Sequence, residues 1–203
     1  MTRTTLLVQA LENRILVLDG AMGTAIQAKN LSASDFGGEQ YEGCNEYLVL
    51  TKPDVIREIH ESYLKAGCDI IETNTFGGTP LVLEEYGLGS QAYEINVAAA
   101  KLARECAQKY STVDKPRFVA GSIGPTTKAI SVTGGVTFNE LLEHFYVQAK
   151  GLFDGGVDYF LLETCQDTRN VKAVLLAIDK LFDGTDRQQG PDGQQGPIGQ
   201  QGS

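Results

Sequence analysis

The chain of 203 residues carries 26 acidic against 17 basic side chains, a formal net charge of −9, with 42% hydrophobic and 21% charged residues. That balance argues against a nucleic-acid partner, which needs cations to neutralise phosphates, and the ordinary apolar fraction excludes wholesale disorder. No apolar run approaches the roughly 18 residues of a membrane span, so a membrane role is not expected.

At the N-terminus, Arg3 is followed by a short apolar stretch interrupted by Gln9, and then by Glu12 and Arg14. A secretory signal needs an apolar core of about 7–15 residues and a small-residue cleavage site, and this segment has neither. Cys44, Cys68, Cys106 and Cys165 are dispersed, with no C-x-x-C word and no Cys/His cluster. Such sparse thiols fit a reduced, cytoplasmic protein better than a disulfide scaffold.

From residue 15 to residue 182 one unit recurs four times: a short apolar strand, a turn, then an amphipathic helix. Residues 15–18 form the first predicted strand, and a helix follows with Thr51, Pro53 and Asp54 at its start and Gly67 at its stop. Residues 69–72 form the second strand, and the second helix runs from Ala92 to Tyr110. Residues 118–122 form the third, with a helix opened by the capping-box pair Thr137 and Glu140 and closed at Gly155-Gly156. Residues 159–162 form the fourth, with a helix from Asp167-Thr168 to Phe182. Near-continuous apolar strands suit a sheet buried on both faces. Strand–helix alternation predicts an α/β fold with a parallel sheet.

Residues 1–182 therefore read as the folded unit and residues 183–203 as a low-complexity tail. Glycine falls at every third position from Gly190 to Gly202, the compositional signature of a collagen triple helix. So few triplets, with Ile198 as their one core-forming residue, lead us to expect disorder. The sharper alternative is the start of a trimerising stalk.

In parallel α/β folds ligands bind beyond the carboxyl ends of the strands. Here those ends are polar and glycine-rich. Asp19 and Glu163 each follow directly on apolar residues, and two converging carboxylates would suit a substrate ammonium group. The glycines beside Asp19 would let backbone N–H groups approach a ligand carboxylate. The competing reading makes Asp19 or Glu163 a cap for the turn or helix that follows. The segment from Asp19 to Thr24 has neither the lysine nor the glycine spacing of a phosphate loop. His60 and His144 fall on or beside helical apolar stripes and read as structural, and Cys165 reads as an inert thiol. From the residues alone the ligand is a small amino acid or another zwitterion.

Five ordered words sharpen this reading: LDGAMGT (residues 18–24), LVLTKPDVI (48–56), AGCDIIETNTFGGT (66–79), GSIGPT (121–126) and LLETCQDTRNVKA (161–173). Together they resemble the homocysteine-binding domain of cobalamin-dependent methionine synthases, over nearly all of residues 5–182. Betaine–homocysteine methyltransferases share the general plan. The resemblance implies a (β/α)8 barrel, of which this chain would carry the first four units. It implies that Asp19 and Glu163 hold the homocysteine amino group and that Gly20 and Ala21 receive its carboxylate. Residues 73–76, with Thr73 and Asn74, would line the pocket. Zinc, held in that family by three cysteines of later strands, and cobalamin are the cofactors implied. None of the four cysteines here matches those ligands, so no metal ligand and no catalytic residue is assigned. The parent reaction would move a methyl group from methylcobalamin to homocysteine, with cobalamin and folate modules as partners, and this chain alone is expected to be inactive. The alternatives are another homocysteine S-methyltransferase, or a non-catalytic half-barrel that closes its two sheet edges by self-association.

Overall fold

The computed structural model describes residues 2–183. Eight α-helices and three strands follow in this order: α1 (Arg3–Asn13), α2 (Met22–Gln27), α3 (Leu48–Thr51), α4 (Pro53–Ala66), β1 (Ile70–Glu72), α5 (Pro80–Leu83), α6 (Ala92–Tyr110), β2 (Phe118–Ile123), α7 (Phe138–Gly155), β3 (Tyr159–Leu162) and α8 (Thr168–Asp183). The glycine-triplet segment lies outside the described residues.

The sheet is parallel in the order β1-β2-β3, with Ile71 opposite Val119 and Ser122 opposite Leu161. Residues 15–18, expected as the first strand, make a single parallel bridge from Leu18 to Ile70. Two carboxylates explain why the ladder stops there. Val17 N–H donates to the Asp69 side chain at 2.9 Å, and Glu72 N–H donates to the Asp19 side chain at 3.0 Å. A longer ladder would have used both of those donors for strand pairing. The architecture is thus a helix-rich α/β fold with a small parallel sheet, to which the first predicted strand contributes one bridge.

The main helices follow their sequence signals. At the start of α7 the Thr137 hydroxyl accepts from Glu140 N–H while the Glu140 carboxylate accepts from Thr137 N–H, a complete capping box. Helix α4 ends on Gly67 at φ +108°, a left-handed cap that glycine adopts without a Cβ penalty. Its start differs from expectation: Thr51 closes α3, and Pro53 opens α4 without a side-chain cap.

Opposite faces of the sheet are buried by different elements. Ile70, Phe118 and Ala120 pack with Leu16, Leu18, Tyr159 and Leu161, and Leu7 of α1 covers one end of that cluster. Ile71 and Val119 on the other face meet Leu64, Ala103 and Cys106 of α4 and α6. Ile123 joins Leu141, Phe145 and Leu152 of α7 and Val174 of α8. Helices α6 and α7 approach closely because Gly151 and Gly155 of α7 face α6. A Cβ on Gly155 would lie 2.4 Å from the Ala100 methyl and 2.8 Å from the Val97 carbonyl.

Below the sheet, at the amino ends of its strands, two aspartates gather cations. Asp158 accepts from Arg3 at 2.6 and 2.9 Å, from Arg104 at 3.0 Å and from Val119 N–H at 2.8 Å. Arg14 grips Asp69 with two 2.8 Å hydrogen bonds. The flanks of the sheet are less well covered: Ile15 is 89% and Val17 57% exposed at one end, and Leu175 of α8 is 51% exposed. Among the described residues no helix is long and apolar enough to cross a membrane, and all four cysteines are unpaired.

Candidate substrate-binding site

At the carboxyl ends of the strands the apolar layer of Ile70, Ala120 and Leu161 gives way to acids. Side chains two apart on a strand share a face, so Glu72 follows Ile70 and Glu163 follows Leu161 onto the same side. Asp19 completes the group from the segment bridged to Ile70. Its Oδ1 accepts from Glu72 N–H, and its side chain is half-buried.

The electrostatics are those of crowded acids. Burial raises Asp19 to about 7, partly opposed by the Glu72 N–H bond and reinforced by the Glu163 charge. Burial raises the Glu72 carboxyl as well, to about 8, with Glu163 and Asp19 adding to the shift and Glu72 in hydrogen-bonding contact with Glu163. A cation among the three would relieve this repulsion, since like charges disfavour ionisation and an opposite charge restores it. The Ser122 hydroxyl donates to Oε1 of Glu163.

Next to the acids lie exposed backbone donors. Gly20 and Ala21 are both exposed, and neither N–H is bonded within the described residues. A Cβ on Gly20 would meet nothing within 4 Å, so packing does not demand glycine there. Ala21 takes a left-handed conformation at φ +44°, and Thr164, directly after Glu163, does so at φ +54°. Non-glycine residues rarely sit there, and such strain gathers at functional sites.

Of the residues singled out from sequence, Asp19, Gly20, Ala21 and Glu163 lie at this mouth. Thr73 and Asn74 are buried and bonded within the chain. Thr73 Oγ1 accepts from Ser122 N–H at 3.0 Å and lies 2.6 Å from Thr75 Oγ1, while Asn74 donates to the Asn45 carbonyl at 2.7 Å. The Thr73 hydroxyl and the Asn74 amide nitrogen are thus engaged within the chain. Sequence reasoning missed Glu72 and Ser122. For Glu72 the signal was present: Ile-Ile-Glu-Thr ends its strand as Leu-Leu-Glu-Thr ends the fourth.

Residues 16–191 match the family described as homocysteine S-methyltransferase. The chain belongs to that family. Its fold is similar to that of the homocysteine methyltransferase MmuM from Escherichia coli in three forms. The oxidized form gives a TM-score of 0.71 at 23% identity, covering 93% of this chain and 69% of that one. The metallated form gives 0.68 at 23% identity, covering 84% and 62%. The apo form gives 0.61 at 22% identity, covering 83% and 57%. The chain thus spans less than two thirds of the length of the metallated form.

The zinc implied by the sequence resemblance calls for a thiolate-rich donor set. Among the described residues no group of three or more His, Cys, Asp or Glu side chains is arranged to hold a metal ion. The thiols present do not fit that role. Burial raises Cys44 to about 12 and Cys68 and Cys106 to about 11. Burial also raises Cys165, whose Sγ donates to the Glu163 carbonyl at 3.2 Å. Each is a poor source of thiolate.

Proposed function

We propose that this chain is the homocysteine-holding part of a methionine synthase, in which the substrate's ammonium group enters among Asp19, Glu72 and Glu163. The substrate carboxylate is received by the N–H groups of Gly20 and Ala21. The observation that carries this reading is the convergence of three carboxyl groups beside two unbonded, exposed N–H groups, in a member of the homocysteine S-methyltransferase family. An ammonium–carboxylate contact in a half-buried site is a charge-assisted interaction, roughly twice as strong as a neutral one.

The work of these residues is binding and orientation. The clamp fixes the amino and carboxylate ends and leaves the thiol to point away from the acids, where a methyl donor can reach it. In the methionine synthase reading that donor is methylcobalamin, carried by another module. The described residues include no fitting metal site, so no step of thiol activation is assigned to them.

Isothermal titration with L-homocysteine tests this reading. Saturable one-to-one binding is expected, and it should be lost when Asp19→Asn and Glu163→Gln are combined. Absence of binding to the wild-type chain, or undiminished binding to the double variant, would overturn it.

A further inference from the structure

We propose that Ser122 is a positioning residue for Glu163, holding that carboxylate in the orientation that receives the ligand's ammonium group. This rests on the reading above. Among the described residues the Ser122 hydroxyl is the one hydroxyl or N–H donor to the Glu163 side chain. Left without it, Glu163 would keep its contact with the Glu72 carboxyl alone, which ties it to another acid of the group and not to the rigid β2 backbone.

The hydroxyl is itself delivered by a backbone that cannot easily move. Ser122 is 1% exposed. Its N–H donates to Thr73 Oγ1 at 3.0 Å, and its carbonyl accepts from Thr75 Oγ1 at 2.8 Å and from Gln148 Nε2 at 3.3 Å. Gln148 is buried on α7 and also donates to the Thr75 carbonyl at 2.7 Å. Thr73 and Thr75 belong to the segment after β1, and Gln148 to a helix packed on β2. Two elements besides β2 therefore fix the position of one hydroxyl, and that hydroxyl fixes the acid across the β2–β3 pair. Ser122 does not touch the ligand in this arrangement and acts only through Glu163.

The test compares two ligands that differ in one group, L-homocysteine and its des-amino analogue 4-mercaptobutanoate, titrated into wild type, Ser122→Ala and Ser122→Thr. Removing a hydrogen bond to a charged group is expected to weaken homocysteine binding about tenfold in Ser122→Ala. Ser122→Thr, which keeps the hydroxyl, should restore it, and the analogue should bind both variants as it binds wild type. A loss of equal size for both ligands would assign Ser122 a structural role only, and an unchanged homocysteine affinity would likewise overturn the proposal. If wild type binds neither ligand, the functional reading fails separately. The 13C carboxyl resonance of Glu163 in the ligand-free protein then decides: it should move in Ser122→Ala and return in Ser122→Thr, and an unmoved resonance would overturn the proposal.

Discussion

The backbone N–H of Glu72 donates to Oδ1 of Asp19 at 3.0 Å. One carboxylate therefore ends the pairing of residues 15–18 with β1 and stands at the mouth where a ligand cation would enter. Structural and binding roles meet in a single side chain, and substitutions there should separate them.

In Asp19→Asn the side-chain oxygen can still accept from Glu72 while the charge is gone. Wild-type Asp19 has a folded-state value raised to about 7 by burial first. Its contribution to stability is therefore full below the unfolded value near 4 and is lost as pH rises through about 7. The variant should lose less stability than wild type between pH 5 and pH 8, by about 1 kcal/mol once partial exposure is discounted. Urea unfolding at the two pH values checks this, and equal losses would count against it. Homocysteine affinity should fall at least tenfold.

His60 sends the pH dependence the other way. It is fully buried on α4, and both ring nitrogens lack a hydrogen-bond partner. Burial, with Arg57 adding, lowers its folded-state value to about 4. Stability from the neutral ring is complete above about pH 6.5 and is lost as pH falls toward 4, by roughly 3 kcal/mol. His60→Leu removes two unsatisfied polar atoms and should flatten the acid limb of the stability curve. At pH 5 the variant should be more stable by about 1–2 kcal/mol. A limb as steep as that of wild type would assign the acid sensitivity to other groups.

Two glycines should respond in opposite ways. A Cβ on Gly124 would lie 2.7 Å from both the Phe76 ring and the Phe76 carbonyl, so Gly124→Ala should cost about 1–3 kcal/mol of stability. Gly20 has open space around it. Gly20→Val should leave the melting temperature nearly unchanged and still obstruct homocysteine. Thermal denaturation and titration of the same two proteins make the comparison.

The anchorage below the sheet can be ranked in the same way. Against the cost of burial, Arg3 and Arg104 hold Asp158 below the usual carboxylate range. Asp158→Ala would leave Arg3 and Arg104 with only the Arg117 and Gly156 carbonyls as hydrogen-bond partners and the Val119 N–H unpaired, costing about 3 kcal/mol and loosening α1. By contrast Lys29–Glu58 is an exposed pair, and Glu58→Ala should change stability by less than about 0.5 kcal/mol. Chemical denaturation distinguishes them, and limited proteolysis should cut first near α1 in Asp158→Ala.

Much of the fold was legible because its long helices carry strong local signals. The span of α6, the Thr137–Glu140 box and the Gly67 stop are all written in adjacent residues. Helix α1 was passed over because Leu6, Leu7 and Leu11 alone make a weak stripe, and its docking depends on Arg3 reaching Asp158, 155 residues away. Residues 15–18 look like a strand by composition and are held from pairing further by two aspartate side chains, which no periodicity reports. At the site, Asp19 and Glu163 stood out because each interrupts an apolar run. Glu72 met the same criterion and was passed over, and Ser122 announced nothing. Its role emerges only when β2 and β3 lie side by side.

The two flanks of the sheet are exposed in different senses. At one, the outward side chains of a strand segment, Ile15 and Val17, carry no helix over them among the described residues; at the other, α8 holds out Leu175 and Leu176. Strand and helix are the two halves of this fold's repeating unit, so each flank lacks what the other shows. A strand–helix pair added at either flank would bury both kinds of exposed side chain at once. A lone strand beside β3 would shelter apolar helix residues while leaving its own outer face bare. A lone helix over Ile15 and Val17 would cover them and need a strand of its own.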